Sequence, residues 1–139
     1  MSFYGKPYKK TKIENVLELI DKLSLGDKTF SWISKANTLT AYRLNDDGTL
    51  QFTVKLDGED KTILDLKIEL NKETDFFSPD GVTLKSQWTV QGNVVKDTLK
   101  FPDGKIVTLT RFFEDGGKMK MEIDISGEST KGYVYYEAV

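Results

Sequence analysis

Leu50-Gln51-Phe52-Thr53-Val54-Lys55-Leu56 alternates apolar and polar side chains without a break and then runs into Asp57-Gly58. A two-residue repeat puts Leu50, Phe52, Val54 and Leu56 on one face and the polar residues on the other, the pattern of a strand with one wet side. Asp-Gly is a dipeptide that tight hairpins select, because glycine takes a positive φ at no steric cost. The same grammar continues outward in both directions. Leu64, Leu66, Ile68 and Leu70 alternate with Asp65, Lys67 and Glu69, and Met119, Met121, Ile123 and Ile125 alternate with Lys118, Lys120, Glu122 and Asp124. Asp47-Gly48, Asp80-Gly81, Gly92-Asn93, Asp103-Gly104 and Gly116-Gly117 punctuate successive runs. With a first strand near Tyr8 to Thr11 and a last at Tyr133 to Val139, the chain predicts an all-β meander of about ten antiparallel strands. That number suits an up-and-down barrel better than a flat sheet, and eight strands already enclose room for one small ligand. A packed sandwich without a cavity is the alternative.

Before the meander the period differs. From Asn15, Val16, Leu17, Leu19, Ile20 and Leu23 form a helical apolar stripe, with Asn15 placed as N-cap. Ser24 to Gly26 interrupts it, and Asp27 is placed to cap a second short segment with Phe30, Ile33 and Trp32 on its apolar side. A helix-turn-helix over about 15–36 is expected as a lid. The basic run Lys6-Pro7-Tyr8-Lys9-Lys10-Thr11-Lys12 reads as a solvated edge strand, with phosphate or membrane contact as the alternative.

Composition narrows the function. The 139 residues fit a single domain over 1–139, 38% of them hydrophobic, with 20 Lys plus Arg against 22 Asp plus Glu and a net charge of -2. Neither a basic nucleic-acid surface nor a disordered acidic tail is implied. Cysteine and histidine are both absent, which removes disulfides, thiolate chemistry, the usual zinc and copper ligands and the commonest general base. No metal, no cofactor and no catalytic residue are expected. The N-terminus lacks an apolar signal core and no apolar run is long enough to span a bilayer, so the expected location is the cytoplasm.

One strand carries the chemistry. In Lys105-Ile106-Val107-Thr108-Leu109-Thr110-Arg111-Phe112-Phe113, the two-residue repeat puts Arg111 on a face with Val107, Leu109 and Phe113. If that face is internal, an unpaired guanidinium costs about 3–5 kcal/mol and needs an anion. The anion is either a ligand or an internal partner such as Asp97; if the face is external, Arg111 is an ordinary surface residue. Two other strands pose the same question: Val82, Leu84, Ser86, Trp88 and Val90 share one face, and Val134 and Tyr136 oppose Tyr133 and Tyr135.

The chain resembles the intracellular lipid-binding proteins, the family of the fatty-acid-binding proteins and cellular retinoid carriers. The resemblance runs from Phe3 and Gly5-Lys6 through Asn15 and the helix Val16 to Leu23, then Asp75-Phe76-Phe77, Asp80-Gly81 and Val82-Thr83-Leu84-Lys85-Ser86. It is densest at Asp103-Gly104-Lys105, at Arg111, and at Asp115-Gly116-Gly117-Lys118-Met119, which has one extra glycine. The resemblance implies a ten-stranded clam of the lipocalin-like superfamily with a helical lid, and it turns Arg111 inward toward a ligand carboxylate. Its second carboxylate group, an R-x-Y pair in the last strand, maps to Val134 and Tyr136, so here the arginine is replaced. The turn Asp57 to Lys61 is charged where the family places an aromatic.

These readings together predict a monomeric, non-catalytic carrier for a long-chain fatty acid or similar hydrophobic acid. Arg111 and Tyr136 hold the head group beside Val134. Trp88, Leu66, Val107, Leu109, Phe113, Met119, Met121 and Ile123 line the tail space. Lys22 and Lys28 on the lid are positioned to touch anionic membrane. A retinoid or other planar lipid is the alternative cargo. An enzyme using Asp97 as base and an interaction protein with a filled core are readings from other classes.

Overall fold

The computed structural model describes residues 2–23, 26–34, 37–59 and 61–139. Ten strands form one antiparallel sheet: β1 (Pro7–Glu14), β2 (Thr38–Leu44), β3 (Leu50–Leu56), β4 (Thr62–Ile68), β5 (Thr74–Phe77), β6 (Thr83–Gln91), β7 (Val94–Lys100), β8 (Ile106–Glu114), β9 (Lys118–Ile125) and β10 (Gly132–Ala138). Their order is β4-β3-β2-β1-β10-β9-β8-β7-β6-β5. Each strand from β1 to β4 and from β5 to β10 pairs with its successor, and β1 closes onto β10 with Tyr8 opposite Ala138 and Glu14 opposite Tyr133. The ladder has its two ends at β4 and β5. The sheet is therefore the antiparallel meander that the alternating runs predicted, curled into the clam that the resemblance implied.

Burial follows the alternation. Val107, Leu109, Arg111 and Phe113 point inward from β8, while Ile106 and Phe112 are partly exposed on its outer face. Leu84, Ser86 and Trp88 point inward from β6, and Val134 and Tyr136 from β10. On the outer face of β10, Tyr133 and Tyr135 lie under the ammonium groups of Lys120 and Lys12, at 4.8 and 5.4 Å from the ring centroids. The positive φ of Gly48 (86°) and Gly104 (94°) explains the choice of glycine after aspartate in those hairpin turns.

The basic run is not an edge strand: β1 pairs with both β2 and β10, so its alternate residues serve the core, Tyr8 being fully buried. Within the lid expected over about 15–36 the described helices are α1 at Val16–Ile20 and α2 at Ser31–Ser34; Ser24, Leu25, Lys35 and Ala36 lie outside the described residues. Asn15 caps α1 without a side-chain hydrogen bond, taking a left-handed conformation (φ 57°) instead. Val16, Leu19, Ile20 and Leu23 are buried as an i, i+3, i+4, i+7 stripe, which leaves Leu17 outside it and 48% exposed.

Contacts from the barrel hold this short lid, since five- and four-residue helices have little stability of their own. Gly132 of β10 lets α1 approach closely: a Cβ there would stand 3.3 Å from Leu19 Cδ2. Lys10 Nζ donates to the Ile33 carbonyl at 2.7 Å, supplying positive charge at the end of α2. The segment leading into α2 is held by Asp80, from the turn between β5 and β6. Its carboxylate accepts from the backbone N–H groups of Lys28 (3.2 Å) and Thr29 (2.8 Å) and from the Thr29 hydroxyl (2.6 Å). Asp80 thus ties the start of this segment to the barrel from across the fold.

Candidate functional site

Arg111 lies on β8 with Val95 of β7 and Met121 of β9 as its lateral neighbours, and its side chain has no exposed surface. Its Nε donates to the Tyr42 hydroxyl at 2.8 Å and its Nη1 makes a long bond, 3.4 Å, to the Leu109 carbonyl. Among the described residues its Nη2 has no partner. Three rings surround the guanidinium, with Cζ 4.6 Å from the Trp88 centroid, 5.3 Å from Phe52 and 5.6 Å from Tyr42. A desolvated cation over aromatic faces gains about 2 kcal/mol, which offsets only part of the cost of burying an unpaired ion.

The surroundings repeat the imbalance. The hydroxyls of Tyr8 and Tyr136 are buried and also lack hydrogen-bond partners among the described residues. Burial raises the hydroxyl pKa of Tyr136 far above its ordinary value, with Tyr42 adding to the rise and Arg111 opposing it. Burial likewise raises Tyr42 against the pull of Arg111. These phenols stay protonated, so one cation and several O–H donors share the same buried region. Among the described residues no carboxylate lies within salt-bridge distance of Arg111. The chemistry of such a set is anion binding.

A cavity of about 300 Å³ opens beside this cluster. Its mouth lies at the exposed residues Lys28, Ile63 and Pro79, between the lid and the separated ends of β4 and β5. Its wall is largely apolar, formed by Phe30, Trp32, Phe52, Leu66, Trp88 and Leu109 among others. Trp88 and Phe52 touch the cavity and also cover the guanidinium, so their rings divide the apolar chamber from the cation.

The residues singled out from sequence fall into two groups. Trp88, Leu66 and Leu109 line the cavity. Arg111, Tyr136, Val134, Val107, Phe113, Met119, Met121 and Ile123 are buried inside the barrel but do not line the cavity. Aromatic packing fills the barrel around Phe113, which stacks on Phe3 at 3.9 Å and meets Tyr8 and Tyr42 edge-on at 5.3 Å. Lys28 is at the mouth, and Lys22 is exposed just beyond α1. Sequence reasoning missed Tyr42 and Phe52 as neighbours of Arg111. Tyr42 shares its inward face with Thr38 and Thr40 while Leu39 and Ala41 take the other, so the alternation of β2 carried no apolar signal for it, and nothing local paired β2 with a strand almost seventy residues away.

Asp97 is not the internal counter-ion of Arg111. It is 5% exposed, faces the cavity, and its Oδ1 has no partner. Burial pushes its pKa up to about 7 while Arg111 pulls it down. No cluster of three or more metal-ligating side chains occurs among the described residues. No helix among them is long and apolar enough to cross a membrane.

Comparison with known proteins agrees with this architecture. The chain is 25% identical to fatty acid-binding protein 1 of Manduca sexta over 138 residues, covering 99% of this chain and all of that protein. The solved structure of the fatty-acid-binding protein isolated from Manduca sexta superposes with a TM-score of 0.81 at 24% identity, over 99% of this chain and 100% of that one. A fatty acid-binding protein from brain tissue of Drosophila melanogaster gives a TM-score of 0.79 at 28% identity, with the same coverage. No protein-family model matches the chain.

Proposed function

In fold and in sequence over its whole length the chain is a relative of the fatty-acid-binding proteins, and from that premise we propose that it is a non-catalytic cytosolic carrier of a long-chain fatty acid. The observation that carries this reading is Arg111, a fully buried cation with an unpartnered Nη2 among unpartnered hydroxyls. A ligand carboxylate supplies the acceptor that the protein lacks. Tyr136 and Arg111 hold the head group, and Trp88, Leu66 and Leu109 contact the tail.

The tail provides most of the affinity. Roughly 14 methylenes at about 0.8 kcal/mol each yield about 11 kcal/mol before association and ordering costs are deducted. Pairing of the carboxylate with Arg111 mainly offsets the desolvation of both ions, so it sets orientation and rejects neutral lipids. To reach the guanidinium the acid displaces the Trp88 and Phe52 rings, which also makes room for the tail. Lys28 at the mouth and Lys22 near it favour transient contact with an anionic bilayer, and the carrier acts as a monomer.

Displacement of a fluorescent fatty acid by palmitic acid and by the matching alcohol tests the reading on wild type, Arg111→Ala and Arg111→Gln. Wild type prefers the acid, and both variants lose that preference while still binding the alcohol. Unchanged affinity and unchanged preference in both variants would overturn the head-group site.

A further inference from the structure

Arg111 does not account for all the polarity inside the barrel. In a wall that is otherwise largely apolar, Asp97 and Ser86 are both more than nine-tenths buried and both face the cavity. The third buried polar residue there, Thr29, is already bonded to Asp80. Asp97 Oδ1 has no partner. A plain hydrocarbon tail leaves that oxygen as it is, and a buried acceptor without a donor is costly.

Register fixes where this second polar point lies. Asp97 pairs with Leu109 on β8 and with Trp88 on β6, whereas Arg111 pairs with Val95. Asp97 is thus one strand over from Arg111 and displaced along the sheet by two residues, about 7 Å. Leu109 and Asp97 line the cavity and Arg111 does not, so the displacement is toward the chamber. Ser86 is on the neighbouring strand, opposite Leu99.

The chemistry of the occupant follows from the two charges. A ligand ammonium at Asp97 would be repelled by the nearby guanidinium, and a second carboxylate by Asp97 itself. A hydroxyl suits both forms of Asp97, donating to the carboxylate and exchanging donor and acceptor roles with the neutral acid. Resting on the carrier reading above, we propose that Asp97 and Ser86 form a hydroxyl-recognition site in the cavity wall, and that the preferred cargo is an acyl chain bearing a hydroxyl a few carbons from its carboxylate.

The test is displacement of a fluorescent fatty acid by palmitic acid and by a series of monohydroxylated palmitic acids, with wild type, Asp97→Leu, Asp97→Asn and Ser86→Ala. In wild type one member of the series binds at least as tightly as palmitic acid. In Asp97→Leu the ratio of its affinity to that of palmitic acid falls by about tenfold, the worth of one hydrogen bond to a buried acceptor. Asp97→Asn, which keeps an acceptor, retains part of the preference, and Ser86→Ala weakens it. Thermal melts of each variant establish that it is folded. Ratios that agree within about twofold between wild type and both folded Asp97 variants overturn the site. If plain acids bind through Arg111 in that case, only this inference falls; if wild type binds no acid at all, the carrier reading falls with it.

Discussion

The Nε of Arg111 donates to the hydroxyl of Tyr42 at 2.8 Å across the barrel, joining β8 to β2 through a bond buried from solvent at both ends. Tyr42→Phe keeps the ring and removes the acceptor, leaving a second guanidinium N–H unpaired. The expected cost is about 1–3 kcal/mol, read from chemical denaturation of ligand-free protein. A midpoint equal to wild type would mean that the bond contributes nothing net.

Arg111→Met should act in the opposite direction on the empty barrel. It replaces a buried, incompletely paired ion with an apolar chain that packs among Trp88, Phe52 and Tyr42, and such replacements stabilise by about 1–4 kcal/mol. The predicted signature is a raised denaturation midpoint together with lost discrimination between acid and alcohol. A protein that becomes less stable would argue that Arg111 is structural first.

Asp97 gives the empty barrel a distinctive pH response. Its folded pKa is raised from 3.8 to about 7 by burial, against the opposing charge of Arg111 from β8; Tyr42 of β2 is the other titratable group that senses it. The native state therefore binds more protons than the unfolded state between those values. Its contribution to stability falls as pH rises from 3.8 to about 7 and levels off above. Asp97→Asn should remove this fall, so the variant's advantage over wild type grows across that window to a few kcal/mol. Parallel stability curves for the two proteins would exclude it.

The Asp80 carboxylate holds the lid from across the mouth, and its pKa is lowered: burial raises it, but the hydrogen bonds from Thr29 and Lys28 outweigh that. The stabilisation is present above the ordinary carboxylate pKa and is lost as pH falls through the depressed value. Asp80→Ala should cost about 1 kcal/mol, as loss of a helix cap does. Amide exchange at Lys28 and Thr29 should accelerate selectively, with Asp80→Asn restoring part of the protection. Uniform acceleration throughout the barrel would point to global destabilisation instead.

Trp88 and Phe52 stand between cavity and guanidinium, so occupancy of the head-group site should change the tryptophan environment. Palmitic acid should shift the emission of wild type, and Trp32→Phe, which leaves Trp88 as the sole tryptophan, should keep that shift. Saturating ligand with no spectral change in this variant would mean that the acid stays in the outer chamber.

The strand alternations at Leu50 to Leu56 and Met119 to Ile125, with their Asp-Gly and Gly-Gly turns, were enough to specify an antiparallel meander. A two-residue period and a positive-φ turn are properties of adjacent residues, so they can be read along the chain. The inward aspect of Arg111 was different, since periodicity assigned it a face without saying which face met the core. Tyr42 beside Arg111, the Trp88 and Phe52 partition, Asp80 gripping Thr29, and Asp97 unpaired in the cavity all join residues distant in sequence. Their relations depend on strand register and on the curvature of the whole sheet, and no local pattern encodes either. Sequence alone determined which side chains alternate; the curled sheet decided which of them meet.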